Sequence, residues 1–126
     1  MFPADPLVIE PCPDADSCGL IALSRYLAQP YSDIVRATTI VDRALGKRGL
    51  YPRTMIRIAA AFGCSLRLKK RVDLAEDYGI ILVPEHATLL RNGLIFEPNA
   101  TVWDAADYLS SEGWTETDIE GILVVK

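Results

Sequence analysis

The chain has 126 residues, 50% of them hydrophobic, with 13 basic and 17 acidic side chains, a formal net charge of −4 and a sequence pI near 4.9. That size and apolar content suit one compact domain spanning 1–126, able to bury a core without disulfide staples. Residues 1–13 carry no basic segment leading into an apolar stretch, and no later run reaches the roughly 20 apolar residues of a membrane span, so a soluble cytoplasmic protein without a membrane partner is expected.

Leu7 to Glu10 is a short apolar run, and Pro11, Pro13, Asp14 and Asp16 then form a stiff turn that delivers Cys18. A helix is expected from Cys18 to Gln29, with Ser17 as N-cap, Leu20, Leu23 and Leu27 at helical spacing and Pro30 as its stop. Ser32 reads as the N-cap of a second helix ending at Gly46. Pro52 suits the first turn of a third, which runs through Met55, Ile56, Ala59 and Phe62 and closes at Gly63. The periodicity then changes. Ser65 to Lys69 alternates as a half-buried strand, Asp73 to Tyr78 reads as a helical turn, and the continuous apolar run from Gly79 to Pro84 predicts a central strand. His86 to Arg91 and Leu94 to Glu97 flank Asn92-Gly93, the strongest short hairpin signal in the chain. Thr101 reads as the cap of a last helix through Val102, Ala105, Ala106 and Leu109, and Ile119 to Val125 as a final strand. Helices first and strands after predict an α+β fold, a helical half packed on a small, mostly antiparallel sheet.

Charge is unevenly spread. Ten of the thirteen basic residues lie between Arg36 and Arg71 (Arg36, Arg43, Lys47, Arg48, Arg53, Arg57, Arg67, Lys69, Lys70, Arg71) against one acid, Asp42. Such asymmetry can mark a face for nucleic acid or an acidic partner. The net negative charge, the lack of aromatic residues around Arg67 to Arg71 and the lack of a nucleic-acid motif favour a solvated basic surface instead.

Two residues carry the chemistry. A cysteine in the first turn of a capped helix gains thiolate character from unpaired backbone N–H groups, and a nearby imidazole completes a nucleophile–base pair. Cys18 meets the first condition, and His86 is the only histidine available for the second. Counting outward from a two-residue Asn92-Gly93 loop pairs Arg91 with Leu94, Leu90 with Ile95, Thr88 with Glu97 and His86 with Asn99. Alternation then projects His86, Thr88, Leu90, Ile95, Glu97 and Asn99 to one face, with Asn99 opposite the imidazole and Glu97 on the diagonal. Either can orient the ring. Three cysteines, an odd number without zinc spacing, argue against both a disulfide framework and a metal site, and Cys64 reads as a small core residue.

Asp16-Ser17-Cys18-Gly19 followed by Ala22-Leu23, the segment Gly49-Leu50 to Phe62-Gly63-Cys64, and His86-Ala87 with Asn92-Gly93 and Glu97-Pro98 together resemble the papain-like cysteine peptidase superfamily. The likeness is to the bacteriocin-leader-processing type of peptidase and small related proteins of bacteria and phages, and it covers most of the chain. It implies a papain-like fold, Cys18 as nucleophile, His86 as general base and Glu97 as the orienting carboxylate, with Asn99 as competitor. No metal or organic cofactor is implied, and the expected partner is a peptide or protein. Two departures stand out. Cys12 occupies the position where the family places an oxyanion-binding glutamine, and the family's Asp-Pro corner is Glu97-Pro98, one methylene longer. The expected activity is therefore a cysteine hydrolase acting on a peptide or other acyl bond. The alternative is the same fold without turnover, serving as a binding or assembly module.

Overall fold

A computed structural model describes residues 18–41, 52–84, 86–97 and 101–126, with residues 18 and 39–41 described through their backbone alone. Helix α1 spans Cys18–Leu27 and ends where Ala28 turns into the left-handed region at φ 56° before Pro30. Helix α2, Tyr31–Val41, starts one residue before the expected cap: the N–H groups of Asp33 and Ile34 donate to the Pro30 carbonyl, so Ser32 lies inside the first turn. A proline can open the helix here because its missing N–H would have no partner in the first turn. The expected end of α2 at Gly46 lies outside the described residues, as do Leu7–Glu10 and Ser17. Helix α3, Pro52–Ala61, begins at its proline and unwinds through Gly63 at φ 78°, as its sequence suggests.

The second half is a sheet. Strands β1 (Leu66–Lys69), β2 (Gly79–Val83), β3 (His86–Arg91), β4 (Leu94–Phe96), β5 (Val102–Asp104) and β6 (Gly121–Val125) lie in the order β1-β6-β2-β3-β4-β5, every neighbouring pair antiparallel. The described residues thus form an α+β fold of four helices and a six-stranded antiparallel sheet. Residues 73–77 form a turn between β1 and β2, closed by the Asp73 side chain on the N–H groups of Ala75 and Glu76. β2 is buried along its whole length between β6 and β3. Gly79 at its start is required by proximity, since a Cβ there would stand 2.2 Å from the Leu123 carbonyl oxygen.

One expectation about the last third of the chain is corrected. Val102–Asp104 pairs with β4 as strand β5, and helix α4 is Ala105–Glu112, capped by Asp104, whose carboxylate accepts from the N–H groups of Ala106 and Asp107. Thr101 is not a cap. Three residues of strand pairing with β4 outweigh the weak local signal of a threonine before an apolar run, because edge pairing satisfies main-chain groups that sequence spacing alone does not reveal. The last strand likewise begins at Gly121 rather than Ile119, after a short 3₁₀ turn over Glu116–Asp118.

Apolar side chains sort onto the two faces of the sheet. Leu20, Leu23, Ile34, Met55 and Ile58 of α1–α3 pack with Ile80, Leu82, Ala87, Leu89 and Leu123 on one face. Tyr108 and Leu109 of α4 pack with Ile81, Val83, Leu90, Ile95 and Ile122 on the other. α1 lies against β3.

Candidate active site

The hairpin sets the geometry. Asn92 and Gly93 take φ 53° and 77°, the paired left-handed conformation of a tight two-residue turn, and Arg91 pairs with Leu94, Leu90 with Ile95 and Leu89 with Phe96. Continuing that register brings Glu97 opposite Thr88, diagonal to His86. The contact follows: His86 Nε2 lies 2.9 Å from Glu97 Oε2. The Tyr108 hydroxyl also donates to Glu97, whose side chain is only 14% exposed, and the neighbouring Thr88 hydroxyl donates to the Phe96 carbonyl at 3.0 Å. Burial acts to raise the Glu97 pKa, but the hydrogen bond and charge of His86, with the hydroxyls of Tyr108 and Thr88, outweigh it and hold the carboxyl below its ordinary value. An ionised carboxylate can only accept, so Nε2 carries the proton and Nδ1 is left for another partner.

Alternation places the imidazole. His86 pairs with Val83 and shares its face with Val83, Thr88 and Leu90, the side covered by α4. α1 lies on the other face. The imidazole therefore projects to the face opposite the one that α1 covers, and not into a cleft between the helical half and the sheet.

Helix α1 is oriented by two anchors. Near its C-terminus the Tyr26 hydroxyl donates to the Tyr78 carbonyl and accepts from the Val125 N–H, at the sheet end remote from His86. Arg25 reaches the other way. Its guanidinium donates to the carbonyls of Phe96 at 2.5 Å and Glu97 at 2.7 Å.

The side chain of Cys18 lies outside the description, and Cys12 and Asn99 lie outside the described residues. Among the candidates, the structure brings together His86 and Glu97. It adds three residues that the sequence did not single out as functional: Arg25, Thr88 as a donor to the Phe96 carbonyl beside Glu97, and Tyr108. Arg25 left a trace, a charged residue among Ala22, Leu23 and Tyr26 in an otherwise apolar stretch of α1. Tyr108 left none, because α4 reaches Glu97 only through the fold.

No protein-family model, curated protein or solved structure matches this chain. The site must be argued from its own geometry. Among the described residues no cluster of three or more His, Cys, Asp or Glu side chains is arranged to hold a metal ion, and no helix is long and apolar enough to cross a membrane. A cavity of about 550 Å³, lined in part by Tyr26, Phe62, Cys64, Lys69 and Tyr78, lies beside the remote end of β2, roughly 13 Å along β3 from His86. It belongs to a different region from the imidazole–carboxylate pair. Cys64, expected in the core, is a free, partly buried thiol on its wall.

The basic segment is spread over solvent. Arg36, Arg53, Arg57, Arg67, Lys70 and Arg71 are exposed, while Lys69 pairs with Asp77 at 2.7 Å. Arg43, Lys47 and Arg48 lie outside the described residues.

Proposed function

We propose that the protein is a papain-like cysteine hydrolase acting on a peptide or other acyl bond, with Cys18 as nucleophile, His86 as general base and acid, and Glu97 as the group that orients the ring. The observation that carries this reading is the 2.9 Å contact between His86 Nε2 and the Glu97 carboxylate. It turns Nε2 toward the carboxylate, which supports a reading in which Nδ1 is the nitrogen that takes a thiol proton.

In this reading Nδ1 takes the Cys18 proton and the thiolate sulfur attacks the acyl carbon, moving the carbonyl π electrons onto oxygen. The tetrahedral species collapses with cleavage of the carbon–leaving-group bond as the imidazolium returns its proton to the leaving group. Water, deprotonated by His86, then attacks the thioester and releases the acid and free Cys18. Glu97 remains ionised throughout and stabilises the transient imidazolium. Cys12, in place of the glutamine of the resembled family, removes one oxyanion donor, a loss that costs about a hundred- to a thousandfold in turnover. The Cys18 backbone N–H contributes what remains, so a slow enzyme is expected.

The test is thiol reactivity. An electrophilic probe should alkylate Cys18 near neutral pH faster than Cys12 or Cys64, and His86→Ala should lower that rate by about a hundredfold or more. Equal, slow labelling of the three thiols, indifferent to His86→Ala, overturns the hydrolase and leaves the binding or assembly module that Cys12 at the glutamine position favours.

A further inference from the structure

Arg25 is only 1% exposed, yet its guanidinium donates to two main-chain carbonyls, those of Phe96 and Glu97, and its Nε has no hydrogen-bond partner among the described residues. Burial pushes its pKa down to about 10, with the Glu97 carboxylate acting in the opposite direction. A buried cation is an expensive way to hold two carbonyls, so its position matters more than its contribution to stability.

Glu97 is the first residue beyond β4, and its N–H donates to the Thr101 carbonyl. The next residue, Pro98, has no N–H to extend the ladder. The carbonyl side of Glu97 is thus held by Arg25, and the same residue's carboxylate holds His86. Seven residues along a helix is nearly two full turns, so Arg25 and Cys18 lie on the same side of α1. One helix then carries both Cys18 and the guanidinium that holds the Glu97 carbonyl.

We propose that Arg25 is a positioning residue of this site: by fixing the end of β4 to the helix bearing Cys18, it sets where Glu97, and through it His86, stands relative to the thiol. The proposal rests on the hydrolase reading for its consequence, but not for its geometry, and the experiment separates the two.

The full-length chain is compared with Arg25→Met and Arg25→Lys, each with His86 intact and in a His86→Ala background. Folding is followed by near-UV circular dichroism, Cys18 alkylation by mass spectrometry with the site located by fragmentation, and the Glu97 carboxyl by ¹³C NMR titration. Folded Arg25→Met should lose at least about tenfold in Cys18 alkylation rate when His86 is present, and less than about twofold when it is not. Its Glu97 titration midpoint should rise further in the His86 background than in His86→Ala, because only the former loses the imidazole contact as well as the charge of Arg25. A native alkylation rate and equal midpoint rises in a folded variant overturn the proposal. If Arg25→Met does not fold, Arg25→Lys decides: it keeps the charge but loses the two-pronged fork, and is expected to show a partial loss, whereas a native rate overturns it. If His86→Ala leaves the native Cys18 rate unchanged, the hydrolase reading fails. Arg25 is then judged on the Glu97 midpoints alone, an unequal rise supporting its positioning of the pair and an equal rise overturning it.

Discussion

The state of the Glu97 carboxyl depends on its contact with His86. Burial alone would push the Glu97 carboxyl up, and the hydrogen bond from His86 is the foremost influence that brings it down. His86→Ala should therefore raise the Glu97 midpoint, read by ¹³C NMR across the acid range; an unchanged midpoint would show that the imidazole does not hold the carboxylate. The same linkage fixes a stability profile. A carboxyl whose folded pKa lies below its unfolded value adds stability that is complete above the unfolded value and vanishes as pH falls through the folded one. Denaturant melts should find native protein more stable than Glu97→Gln by about 1–3 kcal/mol near neutrality, and the gap should close in acid, below the ordinary carboxylate range. A gap that stays constant with pH would remove the ionised carboxylate from the explanation. At this scale the sequence was informative, because hairpin register is local: Asn92-Gly93 sets the pairing, and the pairing places Glu97 diagonal to His86. The same register sets Thr88 opposite Glu97. Tyr108 was not legible, because it arrives on another element.

At the scale of elements, the helices of the first half follow their own caps and stops, and the strands follow their neighbours. Asp104 closes the N-terminus of α4 with two hydrogen bonds, so Asp104→Ala should cost about 1 kcal/mol, seen as a lower midpoint in urea with an unchanged slope. Gly79 stands where β2 and β6 approach too closely for any side chain. Gly79→Ala is expected to be among the most damaging single changes in the chain, at about 4 kcal/mol or more, because the atom met is main chain and moving it shifts a central strand. A Gly79→Ala protein melting within about 1 kcal/mol of native would mean that β6 yields easily. Val102–Asp104 is the strand that escaped the sequence, and the need for glycine at Gly79 is a second long-range fact. Val102 and Trp103 look like the start of a helix until β4 is placed beside them, and nothing in the neighbourhood of Gly79 names Leu123 as the residue it must admit.

Across the whole molecule, α1 ties the sheet together at two points, through Arg25 to the end of β4 and through Tyr26 to Tyr78 and Val125. Tyr26→Phe keeps the ring and its edge-to-face contact with Tyr78 while deleting the hydroxyl. A loss of about 1 kcal/mol is expected, with increased exchange of the Val125 amide as its local signature. Acid should act globally through more than one group, since Asp77 is also held below its ordinary value: burial opposes this, and the hydrogen bonds and charge of its neighbours, led by Lys69, prevail. Neutralising Lys70 and Arg71 together should leave stability within about 0.5 kcal/mol of native.

The sequence by itself determined the helix boundaries set by Pro30, Pro52 and Gly63, the buried central strand and the hairpin register that joins His86 to Glu97, because each depends on spacing, backbone freedom or proline chemistry within a few residues. Tertiary structure alone decided that β6 inserts between β1 and β2, that Val102–Asp104 becomes an edge strand, that the imidazole stands at the sheet's rim on the α4 side, and that Arg25 spans 71 residues of sequence to hold Phe96. These are long-range choices, made by which main-chain groups and apolar faces find one another once the chain is compact, and short-range pattern carries little record of them.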